Sequence, residues 1–247
     1  KEAKTLISKI LSQHEKMEDR KLRGLCMKPI YRESYNDWRE NPYEITTDIP
    51  SLNMVFYGNS GTGKKRTAEL YAGILHQFGL TVKDSFKIIT KGEIISKNQN
   101  ETIMRIKRVF DENKGGVIYI NWGERGLSEE ENEKGDALFS SIIKLINENK
   151  REMVVILSLS ERNRKEYPST AEDILSIFPY SLHFPTLTID DLWAYFSFVI
   201  KKEGYKLGKG LKEKVTAVLE DMSKKDNFAG RISIHRLVEK GKVNMAH

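Results

Sequence analysis

Cysteine is nearly absent. Cys26 is the single thiol in 247 residues, so no internal disulfide can form, and a reducing compartment, the cytoplasm, is the expected location. With no His or Cys close to it in sequence, Cys26 reads as a plain thiol and not a nucleophile. No apolar run approaches the roughly 20 residues that cross a bilayer, which excludes a transmembrane helix. Zinc-ligand spacing, an aromatic RNA-binding signature and internal repeats are missing too. The opening residues Lys1-Glu2-Ala3-Lys4 are charged and read as helix, not as a secretory leader. One-sided charge is also lacking: 41 basic residues face 35 acidic ones, a net charge of +6. Stretches such as Glu15-Lys16-Met17-Glu18-Asp19-Arg20-Lys21 mix the signs, as a solvated helix face does. A nucleic-acid surface is therefore not expected.

What is present suits a globular protein with an ample core. Leu6, Ile7, Ile10 and Leu11 form an amphipathic stripe, so residues 1–26 read as a helix. Residues 27–50 read as an irregular connection punctuated by Pro29, Pro42 and Pro50, with Trp38 and Tyr43 expected to pack on the body. Apolar segments then alternate in type. Strands are predicted at 53–57, 86–89, 117–120, 153–158 and 181–184. Helices are predicted at 64–78, 101–113, 134–149 and 170–177. Such alternation implies an α/β fold, a parallel sheet covered by helices on both faces. After His183-Phe184-Pro185 only helical periodicity remains, carried by Leu192, Tyr195, Phe196, Val199, Leu211, Val215, Val218, Leu219, Ile232, Ile234, Leu237 and Val238. The expected organisation is an α/β domain over 51–186 and a helical one over 187–247.

The chemistry concentrates in Gly58-Asn59-Ser60-Gly61-Thr62-Gly63-Lys64-Lys65. The spacing matches the phosphate-binding pattern G-x-x-x-x-G-K-[ST] up to its last residue. Glycines let backbone N–H groups wrap a phosphate, and Lys64 is placed to reach the outer phosphate oxygens. A strand enters this loop, and a helix N-terminus follows, the usual anion seat. The hydroxyl that would hold magnesium is replaced by Lys65, a second cation, and Arg66 adds a third. Candidate nucleotide-binding residues are therefore Gly58, Asn59, Ser60, Gly61, Thr62, Gly63, Lys64, Lys65 and Arg66. The expected cofactor is ATP or ADP, with magnesium held weakly or not at all.

Four blocks in order resemble the AAA+ ATPases, and within them the family of stage V sporulation protein K and the red-type Rubisco activases. These are Ser51 to Lys64, Gly115-Gly116-Val117-Ile118-Tyr119-Ile120, Met153-Val154-Val155-Ile156-Leu157, and His183-Phe184-Pro185. The resemblance covers nearly the whole chain. It implies a P-loop NTPase sheet followed by an all-helical AAA+ lid. It further implies partnership with other AAA+ domains in a hexameric ring or a tandem protein. The chain starts inside the first helix of the family's module, which implies a domain cut from a longer protein or a further departure.

Departures fall where the family does chemistry. Its Walker B strand ends in Asp-Glu, the magnesium anchor and the residue that orients water. Here those positions are Asn121 and Trp122; Glu124, two residues past Trp122, is the candidate surrogate base, though a solvated loop carboxylate is its expected role. The arginine-finger position corresponds to Ile177. In Phe228-Ala229-Gly230-Arg231-Ile232, Arg231 stands one place before the family's sensor arginine and is the remaining candidate for a phosphate contact. Asn98 occupies the place of the aromatic pore-loop residue. The expected function is nucleotide binding with little or no hydrolysis, in a structural or regulatory module. An active ATPase that remodels a protein partner is the alternative, and a nucleic-acid-binding AAA+ protein ranks last.

Overall fold

The computed structural model describes residues 4–12, 51–94, 96, 98–123, 129–149, 152–161, 177–225 and 228–245. Cys26, Glu124, residues 1–3 and 13–26 of the predicted N-terminal helix, the 27–50 connection and residues 170–176 of the predicted helix at 170–177 lie outside these residues. Among the described residues, no helix is long and apolar enough to cross a membrane.

Five strands form one sheet: β1 (Met54–Gly58), β2 (Phe86–Thr90), β3 (Val117–Gly123), β4 (Val154–Leu159) and β5 (Tyr180–Phe184). Their order across the sheet is β2-β3-β4-β1-β5. The β1–β4, β3–β4 and β2–β3 ladders are parallel, as the α/β alternation requires. The helices are α1 (residues 4–12), α2 (Lys64–Gln77), α3 (Lys91–Ile94), α4 (Gln99–Glu112), α5 (Glu129–Glu148), α6 (Ile189–Lys202), α7 (Leu211–Ser223) and α8 (Arg231–Met245). This is the P-loop NTPase fold with a helical C-terminal part.

The chain divides into two compact units. The first holds residues 1–57 and 65–182; the second holds Gly58–Lys64 and His183–His247. In the first, strand alternation sorts the core. Val55, Ile118, Ile120, Val155, Leu157 and Leu159 share one face, and all join a cluster with Ile106 and Phe110 of α4 and Phe139, Ile142 and Ile146 of α5. Ile10 of α1 is also buried, so the N-terminal stripe faces inward. Gly79 ends α2 in a left-handed conformation, φ +67°. There its N–H donates to the His76 carbonyl and that of Leu80 to the Leu75 carbonyl.

Asn53 ties β1 to β4. Its buried Oδ1 accepts from the Val155 N–H at 2.7 Å. Asn53→Ala would strand that N–H, and chemical denaturation should read a loss of about 1–3 kcal/mol.

The predicted helix at 101–113 begins two residues earlier, because Asn98 caps it by accepting the Asn100 N–H at 2.9 Å. Helix α5 likewise starts at Glu129 rather than 134. The four-residue α3 went unpredicted, since one turn shows no periodicity.

In the second unit, Leu192, Phe196, Val199, Val215, Leu219, Ile234 and Val238 make a separate core. Two residues of the predicted helical stripe fall outside it: Val218 and Ile232 are 44% and 45% exposed.

Candidate nucleotide site

The loop Gly58–Lys64 takes its shape from glycine. Gly58, Gly61 and Gly63 have φ of +147°, +73° and +105°, values that side chains other than glycine rarely adopt. Space is denied as well. A Cβ on Gly61 would collide with the Ala229 carbonyl, and one on Gly58 with the Phe184 carbonyl. Thr62 Oγ1 donates to the Asn59 carbonyl at 2.9 Å, closing the turn. Asn59 Nδ2 donates to Thr186 Oγ1 at 3.1 Å. Ser60 is exposed at the tip.

Lys64 folds back on this loop. Its ammonium donates to the carbonyls of Gly58 and, at 2.7 Å, Asn59. A bound phosphate would exchange these carbonyls for stronger, charge-paired acceptors.

The turn Ala229-Gly230-Arg231 packs against the loop within the same unit. The Arg231 N–H donates to the Gly61 carbonyl at 3.2 Å. Its Nη1 lies 3.0 Å from where a Gly63 Cβ would stand. The guanidinium centre sits 4.9 Å over the Tyr195 ring. Arg231 Nε is buried and has no hydrogen-bond partner among the described residues. Ile232, the next residue, is exposed instead. Arg231 is thus carried to the phosphate loop although it stands one place early in the family pattern.

Sequence reasoning missed the residues that orient Arg231. Tyr195 supplies the ring, and its hydroxyl is 2.9 Å from His235 Nε2. Asp191 supplies charge: bonds from the Thr188 hydroxyl and N–H, helped by Arg231, hold its carboxyl below the usual 3.8. Thr188 and Asp191 form a reciprocal capping box at the start of α6. Their three-residue spacing was the available signal. The unfolded chain protonates Asp191 first as pH falls. This contribution is therefore complete above about pH 3.8 and disappears as pH drops through the lower folded value. Melting curves of the protein and of Asp191→Asn should differ at pH 6 and draw together as pH falls through the lowered folded value.

Lys65 is exposed. Arg66 is exposed and pairs with Glu69 at 2.6 Å.

Asn121 and Trp122 are the two residues of β3 before its last, Gly123, where the ladder to β4 is irregular between Asn121 and Gly123. Asn121 is exposed beside Thr90 and Ser158. Trp122 is 1% exposed and belongs to the α/β core. Its ring lies 5.2 Å from that of Phe139, and the Lys91 ammonium sits 5.4 Å above it. Ile177 is in the same cluster, 4% exposed. Trp122 and Ile177 are therefore structural apolar residues. Asn98 is a helix cap.

No protein-family model matches the chain. The chain is 25% identical over 206 residues to Protein CfxQ homolog of Pyropia yezoensis, covering 83% of this chain and 68% of that protein. It is 22% identical over 205 residues to Protein CbbX of Cereibacter sphaeroides, covering 82% and 66%. It is 23% identical over 204 residues to the chromosomal Protein CbxX of Cupriavidus necator, covering 82% and 64%. The chain spans about two thirds of the length of these relatives. Matches of this extent support the AAA+ resemblance that the motifs carry.

Proposed function

We propose that this chain is an AAA+ module that holds ATP or ADP, turns it over slowly or not at all, and serves as a structural or regulatory member of an AAA+ assembly. The observation that carries the reading is the burial of Trp122 at the position of the catalytic glutamate. A side chain committed to the core takes no proton from water, and loss of a general base costs about 10²–10⁴ in rate.

The residues fit a nucleotide's phosphates. Backbone N–H groups of the glycine loop, the Lys64 ammonium and the Arg231 guanidinium supply donors and positive charge. They do not fit a magnesium ion. Lys65 replaces the ligand hydroxyl, Asn121 is neutral, and Trp122 has no side-chain oxygen. Lys64, Lys65 and Arg231 neutralise the phosphates instead, so binding proceeds without the metal.

The resemblance to hexamer-forming AAA+ proteins makes other AAA+ domains the proposed partners, in a ring or a tandem chain. A cytoplasmic location follows from the single cysteine.

Calorimetric titration of ATP, with magnesium and with a chelator, tests the reading. The expected affinities agree within about three-fold, less than 0.7 kcal/mol. A requirement for magnesium as strong as in an ordinary P-loop protein would refute the role given to Lys65. Absence of binding under both conditions would refute nucleotide holding itself.

A further inference from the structure

We infer that the helical unit carries a second ligand site, separate from the phosphate loop, for a small amphiphilic anion whose apolar body enters a cavity and whose charged end stays at the mouth. The cavity measures about 410 Å³, within the range of about 300–1,000 Å³ that small-molecule sites occupy. Phe196 and Ile200 of α6, Val215 and Val218 of α7, and Leu237 of α8 form its walls.

Apolar surface is left open here. Val218 and Tyr205, both lining residues, are each 44% exposed, whereas Val215 beside them is 8% exposed. A finished core would have covered both.

Among the described residues, the charged lining residues are Lys206, Lys214 and Lys242, and no carboxylate lines the cavity. Lys242 is held by Glu203 at 2.6 Å and Glu239 at 2.8 Å. Among the described residues, no carboxylate pairs with Lys206 or Lys214. An apolar cavity with cations at its edge complements an anionic amphiphile and opposes a cationic one.

Gly241 supplies a third observation. It lies inside α8, where glycine weakens a helix. A Cβ there would meet nothing within 4 Å, so no neighbour requires glycine. Its bare backbone leaves the cavity wall unfilled.

Lysine stems lying along apolar surface for cover alone would be indifferent to the charge of a ligand. That difference decides the test. Decanoate is titrated into the whole chain while Trp193 fluorescence is followed, with Trp193→Phe assigning the signal. Trp193 stacks on Phe196, ring centroids 5.8 Å apart, next to the cavity. Saturable single-site binding is expected. Decyltrimethylammonium should bind at least about ten-fold more weakly, and the Lys206→Gln/Lys214→Gln double variant should weaken decanoate by about the same factor. Gly241→Leu should abolish decanoate binding without lowering the melting temperature. Equal affinity for the two amphiphiles would overturn the assignment. So would unchanged affinity in the double-lysine variant, undiminished binding in Gly241→Leu, or failure to saturate. Lys64→Ala should leave decanoate binding unchanged, which keeps this site distinct from the phosphate loop.

Discussion

Trp122→Glu is expected to destabilise the α/β unit strongly, not to restore a catalytic base. Truncating a buried Trp costs about 3–5 kcal/mol through lost burial and residual cavity. Glutamate recovers little of that volume and brings a carboxyl into a cluster lined by Ile120, Phe139 and Leu159. Such a group must be buried charged or take up a proton, and both states are costly. A loss of about 4 kcal/mol is a large share of the about 5–15 kcal/mol that keeps a domain folded. In thermal melts this corresponds to a fall of about 10 °C or more. Asn121→Asp is the control. Asn121 is exposed at the strand end, so the change should stay within about 0.5 kcal/mol. If Trp122→Glu melted with the parent protein, Trp122 would not be a core residue.

Lys64→Ala should weaken ATP by about 10- to 100-fold, the worth of a hydrogen bond to a charged group. The fold should survive, because the lost bonds to Gly58 and Asn59 are local to the loop. Lys65→Thr tests a different term. It restores a hydroxyl where the pattern expects one and removes a cation. Binding should weaken without magnesium and recover when the ion is added. Calorimetry on both variants separates the phosphate anchor from the substitute for the metal.

These expectations depend on details that were unequally legible in the sequence. The strands were readable because burial on both faces leaves short apolar runs between glycine-rich or polar breaks. The loop was readable because its glycines are required by positive φ and by collision with Ala229 and Phe184. Trp122 was visible as a missing carboxylate but not as a core residue. Its burial depends on Phe139 of α5 and on Lys91 of α3, both distant in sequence. Arg231 presents the opposite case. Counting positions displaced it from the sensor site, yet α8 begins at Arg231 after Gly230 at φ +48°, and that turn directs the side chain to Gly63. Backbone direction, not residue count, set where the cation goes. Periodicity also assigned Val218 and Ile232 to the helical core, although a helix stripe says nothing about whether a neighbour completes the cover.

The fate of protein-bound ATP tests the central claim most directly. The chain is incubated with ATP and magnesium, separated from free nucleotide, and its bound nucleotide is identified over several hours. The expected result is ATP that remains ATP, with turnover far below the roughly 1–10³ s⁻¹ common among enzymes. Prompt conversion to ADP would contradict it, because a working base and metal anchor would then exist despite Trp122 and Asn121.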